Sequence, residues 1–397
     1  MSYTKTSWSS IKISDCCSFI RGVTYSKADE VDSDGFGILR ANNISILNRI
    51  NFNDIKLISK NVAINEEKRL CKNDILFCVY SGSVEHVGKV GFINYNTEYF
   101  AGGFMGILRP VQNMINAYYL YNVLISSLFE DLKKKQRAGT NIQSLKFSDF
   151  ESYKIPLPSL EEQKEIAALF QSLEIAMDKV DEQEKNLRSL WKKLIDEFVS
   201  DTPTFGNLLK NKKLKTVNYC DVTEKLMRKI DPLTYDIERI VAGENLESED
   251  FKIRTWQKVG EGYLGPAFHV LFKAGDILYG SRRTYLRKVA LADFEGVCSN
   301  TTYVIRAKQT ILLQDLLKHI MLSERFTQYS IGVSKGSTNP YINWKDLDNF
   351  SFQIPDIETQ KELVKVLDGI LEVVEQLKKQ KVTLKNLKQK LLNEILG

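Results

Sequence analysis

Between residues 160 and 199 apolar side chains recur at alternating steps of three and four. Ile166, Leu173, Val180, Leu187 and Leu194 fall every seven residues, interleaved with Phe170, Met177, Glu184, Trp191 and Phe198. The same spacing returns near the end of the chain, where Leu363, Ile370, Leu377, Leu384 and Leu391 interleave with Leu367, Val374, Lys381, Lys388 and Ile395. Held over about five heptads, this pattern predicts two long helices that meet along a coiled-coil seam. Elsewhere the apolar runs are short and rich in β-branched and aromatic residues. Asp74 to Val79, Lys89 to Asn94, Phe104 to Leu108, Asp276 to Leu278, Lys288 to Ala292 and Thr301 to Ile305 read as strands. Ile115 to Lys135 and Ile311 to Tyr329 read as helical.

These elements occur twice in the same order. Gly139-Thr-Asn141, Phe147-Ser-Asp-Phe150, Ile155-Pro156 and Glu161-Glu-Gln-Lys-Glu-Ile166 return as Ser337-Thr-Asn339, Trp344-Lys-Asp-Leu347, Ile354-Pro355 and Glu358-Thr-Gln-Lys-Glu-Leu363, 197–199 residues later. Upstream, Asn73-Asp-Ile-Leu-Phe77 matches Gly275-Asp-Ile-Leu-Tyr279, and Lys89-Val90 matches Lys288-Val289. A repeat of this length is a duplicated domain and not a solenoid. The predicted organisation is a globular α/β (α+β) module at 1–158, a long helix at 159–200, a second module at 201–356 and a second long helix at 357–397. Helices of roughly 40 residues, on the order of 60 Å long, pair within one chain of this connectivity only by running antiparallel. The expected product is a dumbbell with pseudo-twofold symmetry. Glu184 and Lys381 occupy equivalent seam positions and are charged where the seam wants apolar side chains, so they are candidates for setting its register; snorkelling to solvent is the other reading.

Composition narrows the class. At 397 residues, 43% hydrophobic and 26% charged, the chain reads as a folded soluble protein of more than one domain. Its most apolar stretch, Ile115 to Phe129, is interrupted by Asn116, Asn122, Ser126 and Ser127, too short and polar to span a bilayer. Met1 to Ser10 lacks the layout of a secretory signal, which leaves the cytoplasm as the expected compartment. The six cysteines include no CxxC pair and only three histidines accompany them, so buried free thiols are expected and no metal site.

Charge is distributed by part. Lys and Arg exceed Asp and Glu by four in residues 1–159 and by three in 200–356, while the first helix carries a net −4 and the second +2. Oppositely charged helices favour one another, and mildly basic globular ends suit a polyanion. Three clusters stand out. Lys133, Lys134, Lys135 and Arg137 precede Gly139-Thr140-Asn141; Lys210 to Lys215 contains four lysines; and Ser281-Arg-Arg-Thr-Tyr-Leu-Arg-Lys288 follows a predicted strand. Arginine reads guanine bidentately and lysine suits phosphate, so Arg282, Arg283, Tyr285, Arg287 and Lys288 are the leading candidates for base or phosphate contact. Thr140, Asn141 and their equivalents Thr338 and Asn339 complete the candidate set. No catalytic constellation stands beside them. There is no GxxxxGK[ST] loop, Asn339-Pro340-Tyr341 is one proline short of an adenine-methyltransferase motif, and Gly35-Phe-Gly37 lacks the third glycine of a dinucleotide loop. The Glu161-Glu162 and Asp181-Glu182 pairs lie on helix surfaces where solvation explains them.

A duplicated module whose copies each lead into a long helix through Ile155-Pro-Leu-Pro-Ser-Leu-Glu-Glu-Gln-Lys-Glu-Ile166 and Ile354-Pro-Asp-Ile-Glu-Thr-Gln-Lys-Glu-Leu363 resembles the specificity subunit of type I restriction-modification systems. Gly139-Thr-Asn-Ile-Gln143, Asn73-Asp-Ile-Leu76 and Gly280-Ser-Arg-Arg283 support the resemblance, which covers essentially the whole chain. The copies depart from one another in the Leu226 to Trp256 stretch, which has no clear partner in the first, and in one residue fewer between Asn339 and Trp344. The resemblance implies two target recognition domains, each reading one half of a split, asymmetric site in double-stranded DNA. It implies helices that act as a spacer and dock two methyltransferase subunits, with restriction/translocase subunits joining the assembly. S-adenosylmethionine, ATP and Mg would then sit on those partners, and this chain would be a reader without chemistry or cofactor of its own. Two other classes stay open on the sequence: a coiled-coil scaffold whose duplicated ends bind proteins, and a single-chain DNA methyltransferase or nuclease.

Overall fold

The computed structural model describes residues 8–83, 85–130, 147–261 and 265–397. The chain divides into two compact units, Met1–Val180 with Lys379–Gly397, and Asp181–Lys378. Each therefore holds one globular module and a stretch of both long helices.

The first unit contains strands β1 (Ser9–Lys12), β2 (Cys17–Arg21), β3 (Glu30–Val31), β4 (Gly35–Leu39), β5 (Lys56–Ser59), β6 (Ile75–Cys78), β7 (Val90–Phe92), β8 (Phe100–Ala101), β9 (Met105–Pro110) and β10 (Lys154–Leu157). They form a sheet of order β2-β9-β6-β7, a second of order β3-β5-β4-β8, and a β1-β10 ribbon. In the second unit the strands are β11 (Lys215–Asn218), β12 (Thr223–Leu226), β13 (Arg239–Val241), β14 (Gln257–Lys258), β15 (Phe268–Phe272), β16 (Ile277–Gly280), β17 (Val289–Leu291), β18 (Gly296–Ser299), β19 (Thr302–Ala307) and β20 (Ser351–Ile354). Its first sheet, β12-β19-β16-β17, repeats the first copy strand for strand, as does the β11-β20 ribbon. The second sheet, β14-β13-β18-β15, does not: it keeps the parallel pair (β4 with β8, β13 with β18) but adds β15 on the far side of β18. The duplication thus preserves the scaffold and varies one sheet.

The central strands explain why Asp-Ile-Leu-aromatic recurs. Every residue of β6 is buried: Ile75 and Phe77 face one apolar core, Leu76 and Cys78 the other. In β16, Ile277 and Tyr279 join one core and Leu278 another. A strand covered on both faces loses the polar alternation of a half-exposed one. The preceding aspartates are also buried, and a buried carboxylate needs paired charge and hydrogen bonds. Asp74 accepts two bonds of 2.8 Å from Arg109, its neighbour on β9. Asp276 is held by Arg306 (2.9 Å) from the equivalent place on β19 and by Arg228 (2.7 Å).

The glutamine of the Glu-x-Gln-Lys-Glu motif joins module to helix. Gln163, in the first turn of the long helix Leu160–Phe198, accepts the Asn116 N–H (2.8 Å) and donates to the Pro158 carbonyl (2.9 Å). Gln360, in the helix Ile357–Leu391, accepts the Leu313 N–H (3.0 Å) and donates to the Ile311 and Pro355 carbonyls, both at 2.9 Å. Both helix starts are capped. Ser159 and Glu162 form a reciprocal capping box, and Asp356 accepts from the Thr359 N–H and hydroxyl.

Within each unit the helices run antiparallel. In the first, Ile166 and Phe170 pack with Leu392, Ile395 and Leu396, and Glu174 pairs with Lys388. In the second, Trp191, Ile195 and Phe198 share a core with Leu363 and Leu367. Trp191 is 1% exposed, and its indole N–H donates to His319 Nδ1 (3.2 Å). That bond leaves the ring proton on Nε2, which donates to Asp368 (2.9 Å), where Lys318 also pairs at 2.8 Å. Burial drives the His319 pKa down and keeps the ring neutral. Truncating Trp191 would forfeit about 3–5 kcal/mol of packing as well as this bond.

Two expected elements differ. The stretch Ile311 to Tyr329 is two helices, Gln314–Ile320 and Glu324–Gly332, because the Ser323 hydroxyl accepts the Phe326 N–H and caps a new start. The stretch beginning at Ile115 is helical over Ala117–Leu124 and breaks at Ile125 and Ser126; residues 131–135 lie outside the described structure. All six thiols are free, but Cys220 is exposed and Cys71 half-buried, so only Cys16, Cys17, Cys78 and Cys298 fit the expectation of burial.

Candidate nucleic-acid interface

In the second unit, chain segments more than fifty residues apart meet beyond the end of β16. The strand leaves its sheet at Gly280, and Ser281 ties the exit down: its N–H and hydroxyl both bond the Thr301 carbonyl, at 3.0 and 2.6 Å. Residues 335–341 form a tight hairpin closed by reciprocal backbone bonds between Lys335 and Tyr341 of 2.8 and 2.9 Å. Gly336 takes a positive φ of 88° in its turn, where a side chain would be strained. The hairpin docks on the arginine loop: Arg282 pairs in antiparallel fashion with Tyr341, and the Ile342 N–H bonds the Ser281 carbonyl (2.9 Å).

Arg283 has a left-handed backbone (φ 50°), unusual for a residue with a side chain. That turn points its N–H at the Pro340 carbonyl (2.6 Å), and its Nε donates to the Asn339 side chain (3.2 Å). A one-turn helix, Thr284–Leu286, follows and ends at Arg287, also left-handed at φ 51°. The surface so assembled carries exposed Arg282, Arg283, Thr338 and Asn339, with Tyr285 half exposed and Tyr341 41% exposed. Among the described residues the Arg282 guanidinium has no acidic partner. Lys335 on the same hairpin is paired with Asp346 at 3.3 Å. Two cations, two phenol rings and an amide on one exposed face offer phosphate contacts, bidentate donors and stacking surfaces together.

The structure separates the arginines that sequence grouped. Arg287 is turned inward, its side chain 14% exposed, and pairs with Glu324 (2.7 Å) and Glu249 (2.9 Å) while donating to the Leu322 carbonyl. Its charge is neutralised within the fold, so it holds the loop in place. Lys288 is directed at the Gly243 carbonyl. Glu249 also receives Lys192 (2.7 Å), and Asp196 accepts the Glu324 N–H (2.7 Å), so the arginine loop is braced against the long helix. The Glu324 carboxyl is held below the usual range, mainly by the Gln328 amide and then by Arg287. Sequence had no signal for Tyr341 or for the meeting of loop and hairpin; the Thr-Asn motif marked only where to look.

Lys133, Lys134, Lys135, Arg137, Thr140 and Asn141 lie outside the described residues. The lysines of 210–215 are exposed, with Lys212 near enough to Asp356 to help lower its carboxyl pKa after the Thr359 bonds. Glu184 accepts from Arg188 one turn along its own helix (3.0 Å). Lys381 belongs to the other compact unit. Among the described residues, no group of three or more His, Cys, Asp and Glu could hold a metal ion, and no helix is long and apolar enough to cross a membrane.

Twin modules with a shared scaffold, a divergent second sheet and a basic, aromatic loop surface define a class of duplicated recognition proteins built on paired helices. Residues 5–187 and 207–386 both match the family model described as type I restriction modification DNA specificity domain. The chain belongs to that family. It is 33% identical over 174 residues to the type I restriction enzyme StySPI specificity subunit of Salmonella potsdam, an alignment covering 43% of this chain and 37% of that relative's length. The MjaVIII specificity subunit of Methanocaldococcus jannaschii is 24% identical over 360 residues, covering 86% of this chain and 81% of its own. Two solved structures share the fold. One, from work on assembly and conformational transition of a type I R-M system, has a TM-score of 0.58 at 16% identity, covering 98% of each chain. The S subunit from M. genitalium has a TM-score of 0.55 at 14% identity, covering 98% of this chain and 96% of that one.

Proposed function

We propose that this chain is the DNA-reading specificity subunit of a type I restriction-modification complex, acting in the cytoplasm. Each module reads one half of a split site in double-stranded DNA, and the long helices carry two methyltransferase subunits, with restriction/translocase subunits binding the assembly. The methyl donor S-adenosylmethionine, and the ATP and Mg that drive restriction, belong to those partners. The chain contributes recognition and catalyses nothing itself.

The observation that carries this reading is the contrast between copies. The first sheet, the buried aspartate and the glutamine latch are repeated, while the second sheet and the loop after the central strand differ. A scaffold of two like ends would have no need of that difference. Two unequal readers can demand two unequal half-sites, and a half-site bound alone is held weakly, so discrimination comes from engaging both. Arg282 and Arg283 are the base and phosphate candidates of the second module, with Tyr285, Thr338 and Asn339 beside them; Arg287 positions the loop.

The test is a genome-wide map of N6-methyladenine in the native host with this gene intact and deleted, the methyltransferase genes untouched. One split, asymmetric motif should vanish on deletion. An unchanged map in a host whose methyltransferase is active would overturn the reading in favour of a scaffold.

A further inference from the structure

The arginine loop of the second module has a structural counterpart in the first, and its chemistry is opposite. After β16, the Ser281 N–H bonds the carbonyl of Thr301, the residue just before β19. After β6, the Val79 N–H bonds the carbonyl of Phe104, the residue just before β9, at 3.0 Å. Val79 therefore stands where Ser281 does, Tyr80 where Arg282 does, and Phe104 where Thr301 does. The Phe104 carbonyl also accepts the Tyr80 N–H (3.2 Å), so both rings hang from one fixed point of backbone.

These rings are on the outside. Phe104 is 66% exposed and Tyr80 40% exposed, with centroids 5.1 Å apart at an interplanar angle of 45°. Phe104 sits in a turn closed by the Met105 N–H on the Gly102 carbonyl (2.8 Å), and Gly22 packs so closely beneath that turn that any side chain there would collide with the Gly102 carbonyl. The turn is thus seated directly on the backbone just past the end of β2. Further along the loop that carries Tyr80, Lys89 and His86 lie 3.1 Å apart. An exposed phenylalanine held rigidly in a tight turn contributes nothing to the core. It does offer an apolar surface to whatever the equivalent loop of the other module meets.

We infer that Tyr80 and Phe104 form the base-reading element of the first module and recognise a thymine by its C5 methyl group. The inference rests on the proposed function, which makes these loops the DNA-facing ones. Of the features displayed in the major groove, only the thymine methyl is apolar, and an aromatic side chain is a suitable contact for it. The second module presents guanidinium at the equivalent point and suits guanine. The two half-sites would then differ in chemistry and not only in sequence.

The experiment uses the full chain assembled with its methyltransferase subunits and its own recognition duplex. Each thymine of the two half-sites is replaced in turn by deoxyuridine, which pairs identically but lacks the methyl. One replacement, in one half-site only, should weaken binding about fourfold, the effect of one buried methyl group. Phe104→Ala and Tyr80→Ala should bind the thymine and deoxyuridine duplexes equally at that position, while replacements in the other half-site have unchanged effects. Because Phe104 is exposed, unaltered thermal unfolding verifies the fold. A wild-type complex indifferent to every deoxyuridine, or a Phe104→Ala complex that keeps the full thymine preference, would overturn the inference. If the wild-type complex bound its duplex no better than random DNA, the proposed function itself would fall.

Discussion

Replacing Gln360 by Met keeps the length and apolar stem of the side chain but removes all three of its hydrogen bonds. Gln360 is fully buried, and the change leaves the Leu313 N–H and the Ile311 and Pro355 carbonyls without their amide partner. Each stranded buried polar group costs about 1–3 kcal/mol. Carbonyls tolerate this better than N–H groups because each has a second lone pair, so the expected total is about 3–5 kcal/mol for the second unit. Gln163→Met strands only the Asn116 N–H and the Pro158 carbonyl, and should cost about 2–3 kcal/mol in the first unit. Urea unfolding of the full chain, read by hydrogen exchange and mass spectrometry so that each unit reports separately, gives both numbers. Exchange should accelerate first at Leu313 in one variant and at Asn116 in the other. Costs below about 1 kcal/mol for both, or a larger loss for Gln163→Met than for Gln360→Met, would refute the view that this glutamine fastens module to helix.

Arg287→Ala should destabilise the second unit by about 1–3 kcal/mol, since it removes the side chain that ties the Leu322 carbonyl, Glu249 and Glu324 together, whereas exposed Arg282→Ala should stay within about 0.5 kcal/mol; thermal melts distinguish them. In the methylome, Arg282→Ala should relax one base pair of a single half-site, with a binding loss of about 1–3 kcal/mol at that position, and relaxation of both halves would contradict a local reading role. His319 predicts a pH dependence. Its folded pKa lies below its unfolded value near 6.5, so the unfolded chain takes up the proton first, and the stability present above that pH is lost as pH falls below it. The loss is at most about 1.4 kcal/mol per pH unit, and His319→Gln should flatten it just below about pH 6.5. Among the charged groups around the ring, Lys318 opposes protonation, while Asp368 and Asp315 favour it. The Asp368 carboxyl titrates below its ordinary range despite burial, so its own contribution is lost only at lower pH.

Much was legible because it is written locally. A seven-residue repeat places Leu363, Leu367, Val374 and Leu377 on one buried stripe whatever lies opposite, and covered strands such as β6 announce themselves as unbroken apolar runs. Duplication was visible for the same reason: each copy must rebuild its own latch, so the Gln and the Pro before it recur together. The antiparallel helices followed from connectivity alone. The Ser323 cap, by contrast, competes with a helical pattern on both sides of it, and periodicity read straight through.

The binding surface depended on partners that local pattern does not encode. Arg282, Arg283 and Arg287 are near neighbours in a basic run, yet Arg287 is drawn inward by Glu249 and Glu324, each nearly forty residues away in sequence, while Arg282 is left facing solvent. Tyr80 and Phe104 were unremarkable in sequence, and became a pair only when β6 and β9 brought their ends together. The sequence by itself determined the duplication, the helices and the scaffold strands, because hydrophobic periodicity acts over a few residues. Tertiary structure decided which cations are neutralised, which rings are exposed and which loops meet, because those depend on Coulombic and packing contacts between segments that only folding makes neighbours.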